Sequence, residues 1–294
     1  MFTSLLVGLD GSPPAQVALA QAIRIGQAFR ARIVVAYVAP MPGHTAEMAL
    51  GAPWMEWTPQ DARAGRTERE IAVREMLRDA AGAVRRAGLE VETVFRTGEP
   101  VDVLRELAEN VGVVLVGRSG IRGARQPEGE DVLGPGTREL IRRCPRPVLV
   151  CGGQPTPMDR VLVAYGGGPA SEGALAFAAR FAGITGAHLD VLHVARDSEA
   201  GKSTLARASG ALSLMPLDFD THLVEGELEP SITATVTRLG SNALFAGAHR
   251  QDAGWLVPSH TEIILRATGI PVLVHMPVAT PSARVSAAHR RPAS

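Results

Sequence analysis

Short apolar runs alternate along the chain with longer amphipathic segments that are rich in alanine. In the first half, the apolar runs predict strands near residues 4–9, 32–38, 91–96, 112–116 and 147–151. The segments between them predict helices near residues 13–28, 68–87, 100–109 and 137–143. Strands that alternate with helices favour right-handed crossovers and a mostly parallel sheet with helices on both faces. The pattern therefore predicts an α/β fold.

The helix near residues 68–87 has the clearest predicted boundaries. Thr67 and Glu70 match a capping box, which predicts that the helix begins just after Thr67. Gly88 predicts its C-terminal end, because glycine readily adopts the left-handed conformation found there. Its core-facing stripe has helical spacing and consists of Val73, Leu77, Ala80, Val84 and Ala87. A long connection over residues 39–66 precedes it.

The chain of 294 residues contains the same arrangement twice. Residues 160–179 repeat the strand, glycine-rich turn and helix of residues 4–23 at an offset of 156. The segment 257–275 likewise repeats 133–151 at an offset of 124. A repeat of this length indicates two copies of a whole domain. The resulting prediction is a domain over 1–151, a linker over 152–159, a second domain over 160–276 with a helix near 200–212, and a flexible tail over 277–294.

Composition excludes several function classes. Lysine and arginine total 30, as do aspartate and glutamate, so no net positive charge favours a nucleic acid or an anionic membrane. Only 4% of residues are aromatic, so the core must be built largely from alanine, valine and leucine. Two cysteines, Cys144 and Cys151, are too few for a disulfide-stapled secreted protein. Since we also find no signal peptide and no membrane-spanning run, we expect a cytoplasmic protein with reduced thiols.

Candidate binding residues follow two of the predicted strands. Parallel α/β sheets bind ligands beyond the carboxyl ends of their strands, where the strand order reverses. Asp10 follows the first strand, Gly117-Arg118-Ser119-Gly120 follows the fourth, and Gly134-Pro135-Gly136-Thr137 opens the next helix. Glycines admit a phosphate close to the backbone, and a helix N-terminus attracts its charge. Arg118 or Arg122 would add positive charge, and the Asp10 carboxylate would accept hydrogen bonds from a purine amine or a ribose hydroxyl.

Each of these features also has an explanation that needs no ligand. Asp-Gly is a common turn pair, and Ser12 before Pro13 is a good helix start. Ser119 does not lie in a nucleophile elbow, because Ile121 stands where the Gly-x-Ser-x-Gly pattern requires its second glycine. The eight histidines form no recognised metal-binding spacing, although His249 and His260 flank the second half's glycine loop. No catalytic residue and no metal ligand is predicted.

Taken together, these motifs resemble the universal stress protein family. The resemblance covers about 1–151 and 160–275 and rests on the VGLDGS opening, Gly-Glu-Pro at 98–100, Gly117-x-x-Gly120, a helix opened by Gly134 and a final Pro-Val-Leu-Val strand. It implies two tandem open parallel five-stranded sheets of the adenine nucleotide alpha hydrolase-like, or Rossmann-like, type, packed as a pseudo-dimer. Family members that bind ATP place an Asp near adenine and hold phosphates with Gly-x-x-Gly, about nine residues, then Gly-Ser. The corresponding binding residues are Asp10, Gly117, Gly120, Gly134, Gly136 and Thr137.

This sequence departs from the family pattern in both halves. In the first, thirteen residues separate Gly120 from Gly134, and Pro135 stands where the family has serine. Proline removes a hydroxyl and an N–H donor, and the added loop is partly acidic. In the second half, Gly166 replaces the Asp, Arg250 replaces the second glycine and Pro258 stands at the position of Gly134, while Gly247 and Ser259 are kept. We expect this half to be a degenerate partner that binds no ATP.

The family's pairing of domains through their fifth strands has a specific consequence for this chain. It would place Val148-Leu149-Val150 beside Val272-Leu273-Val274, so that each half covers the other's exposed strand edge. A homodimer in addition to this internal pseudo-dimer is also expected. Trp54 and Trp57 lie in the long connection, either as part of a loop folded over the core or as a lid or partner contact.

Three functions remain open at this point. The first is a non-enzymatic regulator that binds ATP or another adenine nucleotide in its first domain, with no metal beyond Mg²⁺ carried by the nucleotide. The second is a stress-response scaffold or interaction protein that binds no nucleotide. The third is a slow ATPase, for which the sequence identifies no general base.

Overall fold

The computed structural model describes residues 2–40, 59–120, 133–248, 264–265 and 268–276, with the backbone alone at 59–69. Several residues discussed above therefore lie outside the described part of the chain. They are Trp54, Trp57, Arg122, the acidic part of the loop after Gly120, His249, Arg250, Pro258, Ser259, His260 and the tail over 277–294.

The first half alternates strands and helices in the predicted order. Its elements are β1 (Ser4–Gly8), α1 (Pro13–Phe29), β2 (Arg32–Ala39), α2 (Pro59–Arg86), β3 (Val91–Thr97), α3 (Pro100–Ala108), β4 (Val113–Gly117), α4 (Pro135–Arg143) and β5 (Val148–Cys151). The second half contains β6 (Arg160–Ala164), α5 (Pro169–Thr185), β7 (His188–Ala195), α6 (Ser198–Leu212), β8 (Phe219–Glu225), α7 (Leu228–Leu239), β9 (Ala243–Gly247) and β10 (Val272–His275).

All ten strands belong to one sheet, in the order β3-β2-β1-β4-β5-β10-β9-β6-β7-β8. Pairing is parallel within each half and antiparallel only between β5 and β10, among the described residues. At that junction Val150, Leu149 and Val148 pair with Val272, Leu273 and Val274. This confirms the predicted pairing of the fifth strands. The strand order reverses between β1 and β4, and between β6 and β9.

Side chains on both faces of the sheet are buried under helices. Along β1, Leu5 and Val7 join the core formed with α1 and α2, whereas Leu6 joins the core formed with α3 and α4. The predicted stripe of α2 lies in the first of these cores, with Leu77, Ala80 and Val84 buried. Nearly continuous apolar runs are typical of strands that are buried on both faces.

The beginning of α2 differs from the prediction. The helix begins at Pro59 rather than after Thr67, so Thr67 is an interior residue and not an N-cap. Proline is favoured at the first helical position, and the alanines and arginines between Pro59 and Thr67 are good helix formers. The capping-box pattern at Thr67 was therefore misleading. The predicted C-terminal end is confirmed, because Gly88 follows the helix with φ +77°.

Aromatic side chains join the two halves on one face of the sheet. The ring of Phe2 lies 4.1 Å from that of Phe29 and 4.8 Å from that of Phe177, measured between centroids. Phe181 is 5.5 Å from Phe29 and 5.6 Å from Phe245. This phenylalanine cluster therefore combines Phe2, which precedes β1, and Phe29 of α1 with residues of α5 and β9.

No helix in the described ranges is both long enough and apolar enough to cross a membrane.

Candidate functional site

Asp10 lies in the turn that connects β1 to α1. Its Oδ1 accepts hydrogen bonds from the Ser12 amide at 3.0 Å and the Ser12 hydroxyl at 2.6 Å. Ser12 in turn is the N-cap of α1 and accepts a hydrogen bond from the Ala15 amide at 3.3 Å. Gly11 has φ +87°, a conformation that glycine adopts without strain. The turn therefore fixes the Asp10 carboxylate at the carboxyl end of the sheet.

Gly120 comes from the neighbouring turn, after β4, and lies against Asp10. A Cβ atom on Gly120 would be only 2.5 Å from Asp10 Oδ2. A side chain at this position would therefore displace the carboxylate. The structure thus brings together Asp10 and Gly120, which are far apart in sequence, where the strand order reverses.

The N-terminus of α4 adjoins the same turn. Gly134 is the N-cap, has no side-chain capping bond, and donates its amide to the Arg118 carbonyl at 2.9 Å. Pro135 has no N–H, so the first-turn amides of Gly136 and Thr137 are the donors left for an anion. No described residue lies within 4 Å of a Cβ atom built on Gly136. The described part of the chain therefore leaves this end of the helix open on the Gly136 side.

Gly117 and Thr137 have structural roles that hold without a ligand. A Cβ atom on Gly117 would be 2.6 Å from Pro14 Cβ, so glycine allows α1 to pack on the end of β4. The Thr137 hydroxyl donates to the Gly117 carbonyl at 3.1 Å, which joins α4 to the same strand. A phosphate would thus have to share this hydroxyl with the backbone.

Arg118 points toward the second half of the chain. Its side chain is buried, and the Nη2 atom donates a hydrogen bond to the carbonyl oxygen of Thr268. The sequence suggested a positive charge for a phosphate here. The observed contact instead places Arg118 at the interface between the halves. No sequence pattern indicated this contact, because Thr268 is 150 positions away.

A comparison with known protein families agrees with this arrangement of turns and strands. The model of the universal stress protein family matches residues 1–152 and again residues 157–275. The chain belongs to the universal stress protein family. It carries the family's domain twice, as the internal repeat predicted. A universal stress protein of Synechocystis sp. is 29% identical over 132 residues, which make up 42% of this chain and 82% of that protein.

Solved structures resemble this tandem universal stress protein over most of its length. A universal stress protein from Archaeoglobus fulgidus has a TM-score of 0.75 at 19% identity, over 94% of this chain and 99% of that one. A protein from Pseudomonas aeruginosa described as a universal stress protein has a TM-score of 0.66 at 18% identity, over 94% of each chain. At these identities the likeness establishes the shared fold.

The second half of this universal stress protein keeps the turn without the carboxylate. Gly167 has φ +77°, matching Gly11, but Gly166 stands at the position of Asp10, and no described residue lies within 4 Å of a Cβ atom placed on it. Gly247 repeats the packing role of Gly117, since a Cβ there would be 2.2 Å from the Ala170 carbonyl carbon. The second half therefore retains the packing glycines and lacks the acceptor.

The last strand of each half ends in a different titratable residue. Cys151 at the end of β5 is fully buried, and burial raises its thiol pKa strongly. His275 takes the corresponding position at the end of β10, where burial lowers the pKa of its imidazole. A Cβ on Gly173 would be 2.4 Å from His275 Cε1, so glycine in α5 makes room for the ring. Both groups are therefore held neutral near pH 7 by burial.

A separate concave surface lies at the other edge of the molecule. It encloses about 540 Å³, and its lining includes Phe2, Phe29, Ile184, Met215 and Leu217. These residues lie near the amino end of β1 and the C-terminal ends of α1, α5 and α6. This surface is mainly apolar, and it is distinct from the Asp10 turn.

Proposed function

We propose that the first half of this tandem universal stress protein binds an adenine nucleotide and that the second half acts as its structural partner. The observation that carries the proposal is the contact between the Asp10 carboxylate and Gly120 across the point where the strand order reverses. This is where parallel α/β sheets bind ligands. Asp10 Oδ2 would accept a hydrogen bond from the adenine amine or a ribose hydroxyl.

Among the described residues, the phosphate side of this proposed site has few donors. Pro135 has no N–H, the Thr137 hydroxyl already donates to Gly117, and Arg118 is directed to Thr268. The amides of Gly136 and Thr137 remain. We therefore propose recognition mainly through the nucleoside, with AMP, ADP and ATP binding within about 10-fold of one another, a difference of about 1.4 kcal/mol.

Calorimetric titration tests this proposal. The full-length protein is titrated with ATP, ADP and AMP beside Asp10→Ala, which is expected to weaken all three by about 10-fold or more through the loss of a charged acceptor. Asp79→Ala is the matched control, since it removes an exposed carboxylate from α2 of the same half. Equal heats from wild type and Asp10→Ala would remove Asp10 from the site. Mass spectrometry of ligand carried through purification adds an independent readout.

A second candidate is a scaffold that binds no nucleotide. The hydrogen bonds from Ser12 to Asp10 Oδ1 favour it, because they give the carboxylate a role in the turn. Absence of binding heat with all three nucleotides would support this function. The expected homodimer then becomes the relevant state, and light scattering of the purified protein measures it.

Both candidates place the protein in the cytoplasm. Cys144 and Cys151 are buried and unpaired, which is compatible with a reducing compartment.

A further inference from the structure

A second polar cluster lies at the amino ends of β6, β7 and β8, opposite the carboxyl-end turns. Parallel pairing places Arg160 beside His188 and Asp190 beside Asp220. Because alternate residues of a strand share a face, these side chains and those at 218 and 222 project from the same side of the sheet. The amino-end cluster consists of Arg160, His188, Asp190, Asp218, Asp220 and His222.

The two nitrogens of His188 have different surroundings. Nδ1 lies 2.9 Å from Asp218 Oδ2, a distance at which the ring N–H donates to the carboxylate. The neutral ring then carries its lone pair on Nε2. Nε2 is buried and has no hydrogen-bond partner among the described residues. Its environment is instead made of two carboxylate oxygens, at 3.3 Å for Asp220 Oδ2 and 3.6 Å for Asp190 Oδ1.

This arrangement matches the surroundings of a metal-binding histidine. Such a histidine usually donates its other N–H to a carboxylate, which fixes the tautomer and the ring orientation. Ligand atoms that bind one tetrahedral Zn²⁺ at about 2.0–2.1 Å are about 3.3 Å apart. The separations around His188 Nε2 agree with this value, and all three donor atoms lie within 4.8 Å of one another.

The charges also favour a divalent cation. Asp190 is fully buried, and its Oδ1 lies 2.8 Å from His222 Nε2. Arg160 Nε binds Asp190 Oδ2 at 2.7 Å and Nη2 binds Oδ1 at 3.0 Å. Together with Asp218 and Asp220, Asp190 gives the cluster three carboxylates, whereas Arg160 supplies its one guanidinium. Two negative charges therefore remain when both histidines are neutral.

We propose that His188 Nε2, Asp190 Oδ1 and Asp220 Oδ2 bind a divalent transition-metal ion such as Zn²⁺. Asp218 orients His188. Arg160 and His222 hold Asp190, and because both also contact Oδ1, this oxygen would share its lone pairs between these groups and the ion. One imidazole and two carboxylates are a donor set that suits Zn²⁺ better than Mg²⁺ or Ca²⁺. The histidine spacings in sequence did not show this site, because its ligands come from two neighbouring strands.

Zn²⁺ titration of the full-length protein tests the proposal. The protein is prepared without a polyhistidine tag, treated with EDTA and dialysed, and no nucleotide is present. We expect Asp220→Asn to weaken Zn²⁺ binding at least about 10-fold and Asp218→Asn to weaken it about 10–100-fold. Glu225→Gln is the matched control, because it removes one charge from the opposite face of β8 and should leave the affinity unchanged. Mg²⁺ is expected to give no comparable heat.

A thermal melt provides a second measurement. Because a ligand that binds only the folded state stabilises it, Zn²⁺ should raise the Tm of wild type and Glu225→Gln but not that of Asp220→Asn. Asp220 is 64% exposed, so its amide variant is expected to fold, which circular dichroism checks. Identical titrations of wild type and Asp220→Asn, or no Zn²⁺ binding at all, would reduce the cluster to an ion-pair network and overturn the proposal.

Discussion

Gly117 and Gly136 lie in the same turn region but differ in the space that is available for a side chain. A Cβ on Gly117 would enter Pro14, whereas no described residue lies within 4 Å of a Cβ on Gly136. The first glycine is thus required by the contact of α1 with β4. The second lies in the first turn of α4, where a side chain would meet none of the residues that the structure describes.

Alanine substitutions separate these two cases. We expect Gly117→Ala to lower the free energy of unfolding by about 1–3 kcal/mol through overpacking against Pro14. Gly136→Ala should be neutral or stabilising by up to about 1 kcal/mol, because alanine has the higher helix propensity. Urea denaturation of both variants measures the difference. Equal free energies of unfolding for the two variants would mean that α1 shifts away from the added methyl group at no cost in stability.

His275 makes stability depend on pH. Burial holds its folded pKa below the unfolded value of about 6.5. Below that pH the unfolded chain binds more protons than the folded one. The stabilising contribution is therefore present above about pH 6.5 and is lost as the pH falls through the folded pKa.

The variant His275→Cys introduces the residue that the first half has at this position, Cys151. Between about pH 7.5 and about pH 5.5, wild type should lose more unfolding free energy than this variant. Urea denaturation at both pH values, in reducing buffer, gives the comparison. Parallel losses in the two proteins would show that the imidazole does not govern this pH range.

At the scale of the element, sequence motifs predicted a helix end correctly where the residues of the motif themselves cap or end the helix. Ser12 caps α1 as expected, and Gly88 ends α2 as expected. The start of α2 was missed, because the Thr-x-x-Glu pattern at Thr67 occurs inside a helix that begins earlier, at Pro59. A capping sequence therefore indicates a possible N-terminus, and the residues upstream decide whether the helix continues.

Alanine substitutions at Ser12 and Thr67 test this difference. Ser12→Ala should cost about 1 kcal/mol, because the Ala15 amide loses its cap and Asp10 loses a hydrogen bond. Thr67→Ala should be neutral or slightly stabilising, because the residue is inside a helix and alanine favours it. Thermal unfolding measures both. A cost at Thr67 comparable to that at Ser12 would contradict the longer helix.

At the scale of the whole molecule, several contacts among the described residues join the halves. They include the antiparallel pairing of β5 with β10, the phenylalanine cluster around Phe177 and the hydrogen bond from Arg118 to Thr268. The connecting segment adds to these, because Thr156 exchanges hydrogen bonds with Gln21 and donates its hydroxyl to the carbonyl of Asn242. The halves are thus expected to unfold together.

Truncation of Phe177 tests this coupling. Phe177→Ala should destabilise the protein by about 3–5 kcal/mol and retain one calorimetric transition for the whole chain. Ile184→Ala, on the same helix, removes a side chain from a residue that is 61% exposed and should change stability by less than about 0.5 kcal/mol. Two separate transitions in wild type or Phe177→Ala would show independent halves.

Periodicity and motifs repeated in order were enough to predict the α/β class and the duplication, and the family resemblance implied the pairing of Val148–Val150 with Val272–Val274. Which polar groups meet became known only from the folded chain. Arg118 contacts Thr268, and His188 lies between Asp218 and Asp220, because strands and turns distant in sequence become neighbours in the sheet. Hydrophobic periodicity records which face of an element is buried, but it carries no information about the partner of a polar side chain.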